Sequence, residues 1–403
     1  MDRRRVIPIF LIVLVNFLGS TIVLPMLPLY ANRHFGTPDS VIPLLTTSFF
    51  IAQFIAGPFL GRLSDKYGRL PILMISQIGT CLSFLMMAVA PSIGWLFAAR
   101  ILDGITGGNV IVAQAYLTDI SPRKQRTRAL GVIFMGFGLG YSVGPVLGGF
   151  FGIFGEQVPF FVGALLTLAT VMLTWFTLDE SLPAEKRRER REHRSRMTAR
   201  DIIGNAPLVL ILITAFGAQF SISQFMATSA LFAEEVVFHT ANPRYVSLLV
   251  GALLCTFGIG QTITQLALIQ PLTARFSERQ LVILGLFLRM VGIASLVGLT
   301  APLAVGGFSI MLLAIGSGIM MPSLQALTTI SVREEISGGA LGVYQSAAGL
   351  GFILGSALSG VLFASAPTMP YVVGSIIFGL MFIPALLLLR REQPVLAETR
   401  AAA

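Results

Sequence analysis

About twelve apolar stretches, each close to the length needed to cross the hydrocarbon of a bilayer, follow one another along the 403-residue chain. A helical span needs roughly 20 mostly apolar residues to cover about 30 Å. The stretches fall at 6–30, 42–61, 70–90, 94–118, 128–152, 158–178, 206–232, 246–270, 281–299, 303–328, 338–363 and 369–389. With 55% hydrophobic and 12% charged residues and a mean hydropathy of +0.82, the chain carries more apolar surface than a soluble globule of this size buries. A membrane β-barrel would show short segments alternating apolar and polar. These stretches are continuous and rich in Leu, Ile, Ala and Gly. The expected fold is therefore an all-α polytopic membrane protein with twelve transmembrane helices. Cys81 and Cys255 lie in separate spans and are read as packing residues, not as a disulfide or a metal site.

A net charge of +9 and a pI near 10.1 invite a nucleic-acid reading, but the placement of the cations argues against one. About 24 of the 28 Lys and Arg lie in alternate connections, at 3–5, 62–69, 123–128, 186–200, 275–279, at Arg333 and from Arg390 on. The connections between them hold only Arg33 and Arg244. The positive-inside rule then puts both termini in the cytoplasm, which requires an even number of spans. Residues 3–5 resemble the start of a signal peptide, yet the apolar run that follows is long enough to span and lacks a small-residue cleavage site, so the first helix is expected to be retained. The longest polar stretch contains KRRERREHRSR and separates six spans from six. The expected organisation is an N-terminal six-helix bundle (1–178), a cytoplasmic linker (179–205), a C-terminal six-helix bundle (206–389) and a cytoplasmic tail (390–403). The linker reads either as a solvated segment whose cations fix topology or, in part, as an amphipathic helix on anionic headgroups.

The two halves resemble each other in blocks, each aligned without an internal gap. At a shift of 213, Pro58, Arg62, Ser64, Asp65 and Lys66 meet Pro271, Arg275, Ser277, Glu278 and Arg279. At a shift of 211, Ala129-Leu130-Gly131-Val132 meets Ala340-Leu341-Gly342-Val343, and Gly138, Gly140, Gly144 and Gly149 meet Gly349, Gly351, Gly355 and Gly360. Gly107, Gln114 and Thr118 likewise meet Gly318, Gln325 and Thr329. Charges matching at a shift of 213 and glycines at a shift of 211 indicate a parallel duplication, in which two similar bundles rock about an axis along the membrane normal with the site between them.

The most specific local signal is GRLSDKYGR at 61–69. Gly61 permits close helix approach, Asp65 suits a helix terminus or a basic partner, Arg62, Lys66 and Arg69 hold the inner face, and Gly68 completes the stretch. A cytoplasmic latch is expected here, with Arg275 and Glu278 in a weaker second copy. The stretch resembles the hallmark loop between the second and third helices of the major facilitator superfamily. Gly140, Gly144, Pro145, Gly148 and Gly149 form GxxxGPxxGG in the fifth span, similar to the antiporter motif of the twelve-span drug:proton exporters. Glycine at that spacing lets helices touch, and proline favours a bend. Leu18-Gly19 with Pro25 and Pro28, and Arg100 with Gly104, resemble the first- and fourth-helix motifs of the same family, closest to its tetracycline-exporter-like branch. The resemblance covers essentially the whole chain and implies efflux by proton antiport.

Groups that are costly to bury point to mechanism. Arg100 and Asp103 are three residues apart on the fourth span and so share a face. Counted from Gly94 at about 1.5 Å per residue, Asp103 lies roughly 14 Å deep, near the midplane. Their counterparts in the second half are Met311 and Ala314, so the repeat does not extend to this pair. Either Asp103 takes a proton from outside and the two protonation states favour opposite-facing conformations, or Arg100–Asp103 is a permanent lock. Arg289, in the ninth span, either attracts an anionic substrate group or balances Asp103, or is a structural cation. Tetracycline exporters carry an acid in the first span, where this chain has Asn16, and another in the ninth near Arg289. Coupling is therefore assigned to Asp103 with Arg100, transport without coupling being the other possibility.

Neutral polar side chains fill out the expected substrate cavity: Asn16, Gln53, Asn109, Gln114, Gln219, Gln224, Gln261 and Gln345, together with Arg289 and Phe137, although an amide inside a bundle more often ties helices together than reads a ligand. Phe17, Phe134, Tyr141, Phe225 and Phe352 offer an adaptable wall. Glu234 and Glu235 close the seventh span at the outer surface and read as topological or as an access point. Asp119, near Arg123 and Arg126, reads as a latch partner. No nucleotide, zinc or nucleophile motif is present, and His34, His193 and His239 fall in expected loops, so no enzyme activity, catalytic residue, metal or cofactor is expected. The expected partners are a small-molecule substrate, protons and membrane lipid, not nucleic acid, and the chain is read as a monomer. Within transport, a facilitator or proton-linked importer of a sugar or other polar metabolite is the alternative to efflux of lipophilic or amphipathic compounds, and a receptor or scaffold is the alternative outside it.

Overall fold

The computed structural model describes residues 3–107, 109–120, 126–181, 198–333 and 336–390. Among these the secondary structure is helical: α1 Arg3–Phe35, α2 Ile42–Tyr67, α3 Arg69–Ala88, α4 Ile93–Thr106, α5 Asn109–Ile120, α6 Arg126–Gly152 and α7 Val158–Thr177. After a short turn at Ala199–Ile203 come α8 Ala206–Phe232, α9 Pro243–Ile263, α10 Glu278–Ser295, α11 Met311–Ile330, α12 Ser337–Ser365 and α13 Met369–Arg390. Nine described helices are long and apolar enough to cross a membrane. Apolar side chains also cover their outward faces, among them Ile55, Phe59, Leu165, Phe176, Ile376 and Ile383. In water such a surface would cost about 25 cal/mol per Å²; in hydrocarbon it is at home, while helices satisfy their own backbone.

The structure refines the sequence reading at three places. The stretch read as one fourth span is two helices, α4 ending at Thr106 with Gly107 as its cap and α5 starting at Asn109. The physical cause is the Gly107-Gly108 pair, whose backbone freedom disfavours helix. The Gly107 carbonyl there accepts a hydrogen bond from Gln53 Nε2 at 3.0 Å. His34 lies within α1, not in a loop, because α1 continues past Tyr30 to Phe35. Three spans also contain π-helical turns: Ala233–Val237 extends α8, Thr264–Leu268 leads α9 into Ile269–Arg275, and Val305–Ile310 leads Pro302–Ala304 into α11. Such turns absorb an extra residue without breaking the helix.

The chain groups into two compact units, residues 1–193 with 229–262 and residues 194–228 with 263–403. This division differs from the two sequence halves: α8 begins in the second unit and ends in the first, and α9 with its continuation runs the other way. In the first unit α1 packs on α6 and α7, α3 on α4 and α7, and α2 on α4. In the second, α10 packs on α11 and α13, and α11 on α12.

Glycines set the closest of these contacts. A β-carbon at Gly140 would come 2.6 Å from the Phe17 β-carbon, while β-carbons at Gly144 and Gly148 would overlap Thr21 and the Ile22 carbonyl. Thr21 Oγ1 instead donates to the Gly140 carbonyl at 2.8 Å. The opposite side of α6 meets α9, where Gly149 faces Ser247, Gly251 faces the Pro145 carbonyl and Gly258 faces Ser142. In the second unit Gly351 and Gly355, the repeat partners of Gly140 and Gly144, press on Phe216 and Phe220 of α8. The same contact, α6 on α1 and α12 on α8, is thus built twice from the same glycines.

Candidate functional site

Arg100 and Asp103 meet on the last turns of α4. Arg100 NH1 lies 2.8 Å from Asp103 Oδ2, and the guanidinium sits over the Phe49 ring of α2 at 4.3 Å. Asp103 is 6% exposed, and α3 presents the hydroxyls of Thr80 and Ser83 to its carboxylate. Close approach is possible because a β-carbon at Gly104 would strike Ala52 and the α2 backbone, and one at Gly79 would strike Thr106. The pair is therefore held among α2, α3 and α4, with Arg100 Nε left without a hydrogen-bond partner. The neutral donors around this buried ion pair favour the ionised carboxylate, so its charge answers that of Arg100.

Sequence reasoning missed the polar ridge that supports this pair. Ser76, Gln77, Thr80 and Ser83 on α3 are all buried, and their spacing puts them on one helical face. Gln77 Nε2 donates to Thr174 Oγ1 of α7 at 3.0 Å. Gln77 also lines a small cavity with Ile12, Val13, Asn16, Phe17, Leu73 and Ala113. Asn16 Nδ2 and Gln77 Oε1 find no hydrogen-bond partner there. The signal was the SQxxTxxS spacing inside an apolar span, where four small polar residues on one face have a purpose beyond filling space.

The aromatic wall is partly assembled. Phe17 and Phe137 meet edge to face at 4.9 Å, Phe137 and Tyr141 lie 4.6 Å apart, and Tyr141 reaches Phe257 at 6.2 Å. Gln53 is committed to the Gly107 carbonyl, and Gln114 is half-buried on α5. The helical position of Asn109 is described, but its side chain and that of Phe134 lie outside the described residues.

In the second unit, Arg289 of α10 is 1% exposed. Its NH2 donates to the Ala218 carbonyl of α8 at 3.1 Å, its NH1 approaches Met320 Sδ at 3.7 Å, and its guanidinium lies over the Phe378 ring at 4.9 Å. Among the described residues no carboxylate pairs with it. Gln224 is fully buried with both amide atoms unpartnered, Gln219 is half-buried and Gln345 is exposed.

The 61–69 stretch, read from the sequence as a loop, is the end of α2, Gly68 and the first residue of α3, and there Arg69 is the hub. Its Nε donates to Asp119 at 3.0 Å, its NH2 lies 2.7 Å from Asp65, and its NH1 donates to Ser64 Oγ at 2.6 Å. Gly68, at φ 109°, turns the chain so that α3 starts on the Glu180 carboxylate, which accepts from Arg69 N at 2.9 Å and Leu70 N at 3.1 Å. An anion at a helix N-terminus satisfies unpaired donors and the helix dipole together. Arg62 and Lys66 are exposed, with Lys66 over the Tyr67 ring. Arg275 and Glu278 form no ion pair among the described residues; α10 is capped by Ser277 and Gln280 in a reciprocal box. Arg123 lies outside the described residues, as do the side chain of Arg126 and most of the linker.

Apolar spans, a duplicated glycine packing and scarce buried charges define a polytopic membrane protein. The model of the Major Facilitator Superfamily matches residues 9–241 and 238–403, and the chain belongs to that family. It is 30% identical to the class C tetracycline resistance protein of Escherichia coli over 88% of each chain. It is 26% identical to multidrug resistance protein 2 of Bacillus subtilis (strain 168), again over 88% of each. Among solved structures, a bacterial homolog of the human lysosomal transporter Spinster, in an inward-facing unoccupied conformation, superposes with a TM-score of 0.76 at 17% identity, covering 98% of this chain and all of that one. The human organic anion transporter MFSD10 gives 0.70 at 21%, covering 96% and 99%. These likenesses carry the major facilitator fold, with which twelve helices are consistent.

Proposed function

We propose that the chain is a secondary active transporter that exports small lipophilic or amphipathic compounds, drugs among them, in exchange for protons. The likeness to the class C tetracycline resistance protein over 88% of both chains carries this reading, and multidrug resistance protein 2 supports a broad substrate range. The protein resides in the cytoplasmic membrane of a bacterium as a monomer with both termini inside, as the distribution of Lys and Arg favours. Residues 1–178 and 206–389 act as the rocking halves, joined by 179–205, with 390–403 as a tail. Lipophilic cargo suits the Phe17–Phe137–Tyr141 wall, with Asn16, Gln53, Asn109, Gln114, Gln219, Gln224, Arg289 and Gln345 supplying polar contacts. Asp65, Arg69 and Asp119, with Gly61, Arg62, Lys66 and Gly68 and the weaker Arg275 and Glu278, act as the inner latch.

Asp103 carries the proton. When ionised it neutralises Arg100; when protonated it leaves the guanidinium on the Phe49 face without a counter-charge, and the α2–α3–α4 contact then favours a different arrangement. The test uses purified protein in liposomes with an imposed pH gradient, following tetracycline and a lipophilic cation. Wild type should pump both and stop when the gradient is collapsed; Asp103→Asn should equilibrate substrate without pumping. Equal transport with and without the gradient rejects antiport, and full pumping by Asp103→Asn rejects Asp103 as the carrier.

A further inference from the structure

A second group of charges lies at the opposite end of α1 from the Arg69 hub. Arg33, in the last turn of α1, places Nε 3.0 Å from Glu234 Oε1 and its NH2 on the same oxygen. It also reaches Glu156, in the turn between α6 and α7, at 4.0 Å. The three side chains are only 24%, 26% and 30% exposed for Arg33, Glu234 and Glu156, and 201 residues separate the paired ones. Glu234 lies in the π turn Ala233–Val237 that ends α8, a local change of helical register of the kind concentrated at functional positions.

The charges around the pair do not balance. From α1 come Arg33 and His34; from the turn to α2, Asp39, which accepts from Asn32 Nδ2 at 3.1 Å; from the α6–α7 turn, Glu156; and from the end of α8, Glu234 and Glu235. His239, on the following turn, keeps Nδ1 3.2 Å from the Val236 carbonyl; the Arg244 side chain lies outside the described residues. Among the described side chains four carboxylates thus share one permanent cation. Burial pushes the Glu156 carboxyl above its ordinary range, Arg33 and His34 pull it back, and Glu234 pushes it further up. Glu156 therefore takes a proton at a higher pH than a free glutamate does, as does Glu235, which burial, Asp39 and Glu234 all push up.

We propose that Arg33, Glu156 and Glu234 form a charge clasp that holds the end of α8 to α1 and to the α6–α7 turn, shut while the carboxylates are ionised and released when a proton from the outer solution neutralises one of them. The clasp makes the proton itself the key: the acidic side of the membrane loosens the end of α8 on that side. Calling that side outer rests on the proposed topology; the clasp itself does not depend on export.

Ala230 lies one turn before Glu234 and is 3% exposed, so Ala230→Cys in a Cys81→Ser/Cys255→Ser background reports release. A membrane-impermeant maleimide is added outside right-side-out vesicles over a range of outer pH. Rates are normalised to Thr240→Cys, an exposed position, which removes the intrinsic pH dependence of the thiol. Labelling should be slow at neutral pH and rise as the outside is acidified. Glu234→Gln and Arg33→Gln should label about fivefold faster at neutral pH, the order a partly buried pair supports, and Glu156→Gln should flatten the acid-induced rise. Exchanging the charges, Arg33→Glu with Glu234→Arg, should restore slow labelling. Neutral-pH rates unchanged by Glu234→Gln and Arg33→Gln overturn the clasp. Labelling only from the inner side overturns the topology and, with it, the source of the proton.

Discussion

Arg100 and Arg289 are both guanidinium groups buried inside helices, one in each compact unit, yet the protein surrounds them differently. Arg100 is neutralised by Asp103 at 2.8 Å; Arg289 rests on the Ala218 carbonyl, Met320 sulfur and the Phe378 ring, with no carboxylate among the described residues. The duplication that kept Gly140 and Gly144 as Gly351 and Gly355 did not keep the ion pair. Packing is therefore the shared part of the two halves and charge the specialised part. A pair can change state by taking a proton, whereas an arginine solvated by neutral groups holds its charge.

Removing one charge at each place tests this difference most strongly. Asp103→Asn leaves a buried cation unpaired and should cost about 3–5 kcal/mol. Arg289→Met removes a cation without leaving an opposite charge behind, and it should be neutral or stabilise by about 1 kcal/mol or more. Thermal unfolding in detergent or nanodiscs measures both. Similar losses in the two variants would break the contrast, for they would mean that Arg289 has a counter-charge of its own.

Packing should respond alike in both units. Gly144→Ala places a β-carbon on Thr21, and Gly355→Ala places one on Ser223 and the Phe220 carbonyl. Each should cost about 1–3 kcal/mol. Gly342→Ala, on α12 with nothing within 4 Å of its added carbon, should be neutral or stabilise by about 0.5–1 kcal/mol. Unfolding midpoints of the three variants give the comparison; a loss at Gly144 without one at Gly355 would show that the contact was copied in sequence but not in energy.

The same division explains what could be read from the chain alone. Span lengths, the repeat and the glycine contacts depend on apolar runs and fixed spacings, which a sequence displays directly. The break after Thr106 was signalled by Gly107-Gly108 but was hidden inside a continuous apolar run. The partners of the charges were harder to see. Arg69 finds Asp119 from 50 residues away, and Arg33 finds Glu234 from 201; neither separation leaves a local pattern. Gln77, Thr80 and Ser83 were on one face of α3 and legible as a ridge, but only the structure turns that ridge toward Asp103 and Asn16.

The smallest expected difference lies between the two copies of the latch, at the starts of α3 and α10. The first starts its helix on a carboxylate, Glu180 under α3, and the second on a neutral hydroxyl, Ser277 under α10. Glu180→Gln keeps an acceptor but removes the charge, so it should cost about 0.5–1 kcal/mol. Ser277→Ala removes the acceptor and should cost about 1 kcal/mol. Salt separates the two causes, because a charge at a helix end is screened at about 1 M, where the Debye length is near 3 Å, and a neutral hydrogen bond is not. The Glu180→Gln loss should therefore shrink at high salt while the Ser277→Ala loss stays. If both persist unchanged, Glu180 acts as a plain hydrogen-bond acceptor, and the two copies differ in residue type but not in the force that starts their helices.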